Sequence, residues 1–175
     1  MKIFAETERL ILRELLPTDV NGMFELDADP EVHRYLGNKP ITTIAQVSET
    51  ISFIRDQYTA NGIGRWAIIE KETNAFVGWG GFKFITELTN GHQNYYDLGY
   101  RLVKRFWGKG YATEAAQASI DYAFNELKLS TIYAIADVQN LPSRKVLEKC
   151  NFQYVEIFDY FSAPHCWYEL KNNHK

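Results

Sequence analysis

A single α/β domain is what this sequence predicts, on three observations. Runs rich in β-branched and aromatic residues alternate with segments of helical periodicity along the chain. One strand pattern, ending near Val103, passes through Arg105-Phe106-Trp107-Gly108-Lys109-Gly110 into a helix pattern that begins at Tyr111. The 175 residues are 46% hydrophobic and 15% aromatic. A chain of this size buries about 70% of its unfolded surface, enough for one core without staples. No repeat, low-complexity tract or linker interrupts the pattern, so residues 1–175 read as one domain.

The elements follow in order. Residues 8–15 alternate Leu10, Leu12 and Leu15 against Arg9 and Arg13, a first strand. Pro17-Thr18-Asp19 turns the chain into a short helix bearing Val20, Met23, Phe24 and Asp27, ended by Asp29-Pro30. A helical turn over 31–36 closes at Gly37-Asn38-Lys39-Pro40. Thr42 or Thr43 then caps a helix whose Val47, Ile51, Ile54 and Tyr58 recur at helical spacing. Strands at 66–70 and 76–85 are joined by a hairpin turn over 71–75. Gly78, Gly80 and Gly81 inside the second of these mark a bend or a close backbone approach. After a polar connection over 86–94, a strand starts near Tyr95 and leads to the glycine-rich segment. The next helix lines Ala112, Ala115, Ala116, Ser119, Tyr122, Ala123 and Leu127 along one side, small enough for close packing on a sheet. A strand over 131–136 precedes a helix with Pro142 in its first turn and Val146, Leu147 and Cys150 as its apolar stripe. Asn151 stops that helix in a left-handed conformation. Strands over 152–161 and 166–170 close the chain, joined by a loop containing Ser162, Ala163 and Pro164.

Charge and cysteine usage narrow the function. A formal net charge of -3 argues against general nucleic-acid binding, although a local basic site stays open. Cys150 and Cys166 have neither CxxC spacing nor histidine partners at metal-ligand intervals, so no structural disulfide and no metal is expected. Charges scattered through MKIFAETERLILREL break any signal-type apolar block, and no apolar run of about 18 residues occurs. The expectation is a cytoplasmic chain without a membrane partner.

The stretch Leu98–Ala116 carries chemistry. A strand, glycine-rich loop and helix in succession gather unpaired N–H groups at the positive end of a helix, and glycines let that backbone approach an anion without a Cβ in the way. Phosphate is the natural guest. Arg105 and Lys109 add positive charge in the same few residues, which suits a pyrophosphate better than a single carboxylate.

Three segments together point to a family. They are Glu6-Thr7-Glu8-Arg9-Leu10-Ile11-Leu12-Arg13 followed by Asp19, Leu98-Gly99-Tyr100 through Ala115, and Asn140-Leu141-Pro142-Ser143 through Phe152. In this order they resemble the GNAT family of acyl-CoA-dependent N-acetyltransferases, specifically its RimJ/RimL-like branch of ribosomal-protein N-terminal acetyltransferases. The resemblance implies a mixed, mostly antiparallel sheet of about six to seven strands with helices on both faces, opening into a V that holds acetyl-CoA as acyl donor. It implies that backbone groups of Leu102 and Val103 meet the pantetheine arm. Arg105, Gly108, Lys109, Gly110, Tyr111, Ala112 and Thr113 would wrap the pyrophosphate, while Asn140 and Ser143 border the same cofactor. The alternative reading of Asn140 is a simple helix cap.

Acetyl transfer sets its own demands. A protonated amine cannot attack a thioester, so a proton must leave the nitrogen and another must reach the departing thiolate. Many GNAT enzymes carry a tyrosine acid at the position Leu147 occupies here. Leucine has no proton to give, and the role passes to Ser143, whose other reading is a first-turn residue satisfying backbone. Asp97 is the first candidate base and Glu156 the second, with deprotonation through water as a further route, because an amino terminus has a pKa near 7.7. His33, His92, His165 and His174 show no partner spacing and take no catalytic role. The acceptor implied is the N-terminal amine of a ribosomal protein, reached in a ternary complex by a monomer or homodimer. A polyamine, amino sugar or amino acid is the alternative, and a non-catalytic acyl-CoA-binding module is another. Trp66, Trp79, Phe82, Tyr35 and Tyr160 either line the acceptor pocket or fill the core.

Overall fold

The computed structural model describes residues 1–173. Among these, the strands are β1 (Ile3–Glu6), β2 (Leu10–Glu14), β3 (Arg65–Glu70), β4 (Phe76–Ile85), β5 (Tyr95–Leu102), β6 (Thr131–Asp137), β7 (Gln153–Tyr160) and β8 (Ala163–Lys171). The α-helices are α1 (Val20–Asp27), α2 (Ile44–Asn61), α3 (Tyr111–Asn125) and α4 (Leu141–Lys149). The strands form one 8-stranded sheet in the order β1-β2-β3-β4-β5-β6-β8-β7. Neighbours pair antiparallel except β5 and β6, which run parallel. The mixed, mostly antiparallel α/β sheet expected from the resemblance is therefore what forms, with one strand more. The extra strand is β1, four residues on the sheet edge beside β2, too short to show an alternation of its own.

Local chemistry accounts for the other elements. Thr43 caps α2 by accepting from the Gln46 amide at 3.4 Å, while the Gln46 side chain receives the Thr42 and Thr43 amides. Gly62 ends the same helix at φ 69, a left-handed conformation that costs glycine little. Glycine in β4 answers a close approach. A Cβ at Gly78 would lie 2.1 Å from the Arg101 carbonyl oxygen, beside the shift of register between Ile68 and Ile69. The last hairpin differs from expectation. Ala163 and Pro164 belong to β8, and the turn is only Phe161 and Ser162, at φ 48 and 63.

Strand alternation divides the side chains between two faces. Ala67, Trp79 and Arg101 are in register and face α1, whose Asp27 takes the Arg101 guanidinium at 2.6 Å. Trp66, Gly80 and Tyr100 are in register on the opposite face, where Trp66 stacks on Phe4 and meets Tyr122 of α3 edge-on. That face holds α3 and α4. Trp66 and Phe82 are fully buried in the core and so cannot line an acceptor pocket, whereas Trp79, Tyr35 and Tyr160 stay half-buried. No described helix is long and apolar enough to cross a membrane. Cys150 and Cys166 are both buried free thiols.

Candidate active site

The site begins where the sheet opens. β5 and β6 share one register pair, Asp97 with Tyr133, and beyond it the strands part. The Val103 amide donates to the Val77 carbonyl at 2.9 Å, in register with the β4–β5 ladder. Antiparallel alternation then turns the backbone groups of Tyr100 and Leu102 away from β4 and toward the gap. The Leu102 carbonyl accepts the Trp107 indole N–H at 2.8 Å, leaving its amide aimed into the opening. Of the backbone groups assigned to the cofactor arm, those of Val103 are thus already committed, the amide within the sheet and the carbonyl to the Phe106 amide at 2.9 Å.

At the mouth of the gap, Gly108 and Gly110 take φ values of 72 and 81, and Gly110 is the N-cap of α3. The first helical amides, those of Tyr111, Ala112 and Thr113, have no partner inside the helix. Arg105 pairs with Glu25, and Arg105 and Lys109 both lie over the Phe106 ring. Lys109 forms no ion pair among the described residues. Behind the loop, Arg9 donates to the Lys109 carbonyl at 2.9 Å and to Glu114 at 2.7 Å, with its guanidinium 4.4 Å from the Tyr111 ring centre. Arg9 was not among the sequence candidates, since nothing local links it to a loop 100 residues away.

Across the gap, Asn140 caps α4, its Oδ1 accepting the Ser143 amide at 3.3 Å. Its Nδ2 makes no hydrogen bond among the described residues, so the cap leaves a donor unused in the same side chain. Ser143 is half-buried in the first turn of α4 and meets Tyr100 of β5. The Tyr100 hydroxyl donates to the Ser143 carbonyl at 2.8 Å and lies 3.1 Å from Ser143 Oγ. Leu147 is buried core.

Asp97 and Ser143 are not brought into contact. Asp97 occupies the apex of the opening, on the face opposite Tyr100, where Arg65 binds its carboxylate at 2.6 Å. Burial pushes the Asp97 pKa up, opposed by the Arg65 charge, and the net direction is upward. Arg65 fits there because Gly99 has no side chain: a Cβ would lie 2.7 Å from Arg65 Nη2. Glu156 stands exposed on edge strand β7, three strands from β5, and accepts from Asn90 at 3.0 Å. His33 is buried beside Asp27 and Arg101, His92 and His165 contact backbone carbonyls in their own segments, and His174 lies outside the described residues. No group of three or more His, Cys, Asp or Glu among the described residues is arranged to hold a metal ion.

These residues fit a nucleotide-like acyl carrier. A Cβ at Gly108 would meet no atom within 4 Å, so the loop borders open space, and the start of α3 adds N–H donors and a positive dipole end. A sheet parted at one register pair, with such a helix start at its mouth, is the architecture of an acyltransferase. Residues 9–153 match the family model described as an acetyltransferase (GNAT) domain, and the chain belongs to that family of N-acetyltransferases, whose acyl donor is acetyl-CoA. An uncharacterized N-acetyltransferase, p20, of Bacillus licheniformis is 38% identical over 147 residues, covering 84% of this chain and 80% of that protein. In fold the chain is similar to the RimL ribosomal L7/L12 alpha-N-protein acetyltransferase in complex with coenzyme A, with a TM-score of 0.82 at 17% identity over 97% of this chain and 98% of that one. Spermidine N-acetyltransferase from Vibrio cholerae is similar at a TM-score of 0.75 and 17% identity, over 94% of this chain and 96% of its own.

Proposed function

We propose that this chain, as one domain over residues 1–175, transfers the acetyl group of acetyl-CoA to the N-terminal amine of a ribosomal protein in the cytoplasm, by direct transfer in a ternary complex. The observation that carries the reading is the opening between β5 and β6, with the α3 start at its mouth and Ser143 on its far side. The Leu102 amide and Asn140 Nδ2 hold the pantetheine arm, and Arg105, Lys109 and the backbone from Gly108 to Thr113 hold the pyrophosphate. Val103 contributes position, its own amide being engaged with Val77.

Asp97 takes the proton of the incoming ammonium. A carboxylate with a raised pKa is the better base, and Arg65 keeps it ionised. The freed nitrogen attacks the thioester carbon and the C–S bond breaks. Sulfur takes a proton from Ser143 Oγ, and the second proton lost by nitrogen restores Ser143 through solvent. The solved structures similar in fold act on both a protein terminus and a polyamine, so a small amine is the second reading.

Thiol release from acetyl-CoA across peptides of ribosomal-protein N-termini, spermidine, amino sugars and amino acids decides the acceptor. Peptides are expected to give the highest kcat/KM; preference for a small amine replaces the first reading with the second. Cofactor binding without turnover on any acceptor would leave a non-catalytic module. Ser143→Ala is expected to lower turnover at least about tenfold with little change in acetyl-CoA affinity, within the usual worth of one proton-transfer role. Asp97→Asn is expected to abolish the acid limb of the kcat/KM profile, a limb placed above the ordinary carboxylate pKa of 3.8 because burial raises it. A limb that survives the substitution belongs to another group.

A further inference from the structure

Among the described residues, the Tyr100 hydroxyl makes the side-chain hydrogen bonds that tie β5 to α4, across the gap that opens after Asp97. A phenol has one proton and two acceptor sites. In the resting geometry the Tyr100 hydroxyl donates to the Ser143 carbonyl at 2.8 Å and lies 3.1 Å from Ser143 Oγ, a contact in which either oxygen can donate. Turning Oγ–H toward sulfur leaves Oγ open as an acceptor within reach of the phenol.

We propose that Tyr100 is a positioning residue for acetyl transfer: it aligns Ser143 across the gap and swings its hydrogen bond from the Ser143 carbonyl to Ser143 Oγ as that hydroxyl donates to the departing sulfur. The proposal rests on the acid role given to Ser143 above. As Oγ gives up its proton it gains negative charge, and a donor already in place stabilises that charge without reorganising. Burial raises the Tyr100 pKa above the ordinary value of 10.0, so the phenol stays protonated and available as a hydrogen-bond donor to Ser143 Oγ. Tyr100 lends a hydrogen bond, and the proton that reaches sulfur comes from Ser143.

The test compares wild type, Tyr100→Phe, Ser143→Ala and the double variant, with spermidine and a peptide bearing a free amino terminus as acceptors. Tyr100→Phe is expected to lower kcat at least about tenfold with the acetyl-CoA KM within about twofold, and the double variant to be no slower than Ser143→Ala alone, because residues acting as one unit are not additive. A Tyr100→Phe enzyme at the wild-type rate overturns the proposal, and so do losses that multiply in the double variant. If Tyr100→Phe fails to fold, 3-fluorotyrosine at position 100 preserves the shape with a stronger donor. Turnover is then expected to hold or rise at unchanged KM, and a fall of about tenfold overturns the donor role. A wild-type protein that acetylates neither acceptor overturns the proposed function instead, which separates the two failures.

Discussion

Arg9 and Glu114 are 105 residues apart and meet three times, the Arg9 backbone amide at 3.1 Å, its Nε at 2.7 Å and its Nη2 at 2.5 Å from the same carboxylate. Thr7 adds a fourth donor at 2.5 Å. Glu114 sits in the first turn of α3, and Arg9 also binds the Lys109 carbonyl, so β2 and its preceding turn hold the glycine loop against the helix it opens.

Arg9→Ala is accordingly expected to loosen the loop. The ion pair is partly exposed, 43% and 18% for the two side chains. A loss of about 0.5–1 kcal/mol follows, or about two- to fivefold weaker coenzyme A binding by calorimetry. Unchanged affinity would mean the loop holds its shape unaided.

Gly110→Ala and Gly62→Ala separate backbone strain from cofactor contact. Both positions are left-handed, at φ 81 and 69, and each substitution is expected to cost about 1–2 kcal/mol, or about 2–8 °C in melting temperature. Coenzyme A affinity should fall only for Gly110→Ala, since Gly62 terminates α2 away from the loop.

Arg101→Met tests the buried pair with Asp27, which is 5% exposed. Leaving that carboxylate with only His33, at 3.6 Å, is expected to cost up to about 3–5 kcal/mol at neutral pH and to lower the melting temperature by up to about 6–20 °C. His33 makes the effect depend on pH. Burial, and then the Arg101 charge, lower its pKa from 6.5. A lowered folded value means its contribution to stability is present above pH 6.5 and is lost as pH falls through the folded pKa. Without Arg101 only burial still opposes the imidazolium, and Asp27 favours it. Urea melts at acid and neutral pH should show the variant losing less stability on acidification than wild type does.

Phe161→Asn with Ser162→Gly is expected to stabilise the last hairpin by about 1 kcal/mol, because both turn residues have positive φ and Asn-Gly is the pair that tolerates it. Phe161 is 86% exposed, so its removal sacrifices little packing. Chemical denaturation measures the gain.

What the sequence made readable was what it states locally. The Thr43 cap and the steps from Val47 through Ile51 and Ile54 to Tyr58 all lie within one helix. The strand-loop-helix succession ending at Tyr111 is equally local. The turn at Phe161-Ser162 escaped because neither residue is typical of a left-handed position, and β1 because four residues carry too little pattern. In the site, residue types were readable but their partners were not. Arg65 reaches Asp97 from 32 residues away and Tyr100 reaches Ser143 from 43, contacts that exist only once strand order and face are decided. Strand parity places Asp97 and Tyr100 on opposite faces, and no motif states that.

The single rung between Asp97 and Tyr133 also has a mechanical meaning. On one side of it β1 through β5 form one leaf, and on the other β6, β8 and β7 form a second, each laddered within itself. α3 packs on the first leaf, α4 packs on β6 of the second, and the two helices meet each other behind the single rung. A slender, amide-bearing guest laid along β5 would supply rungs that the polypeptide omits, joining the two leaves along more than the one pair they share.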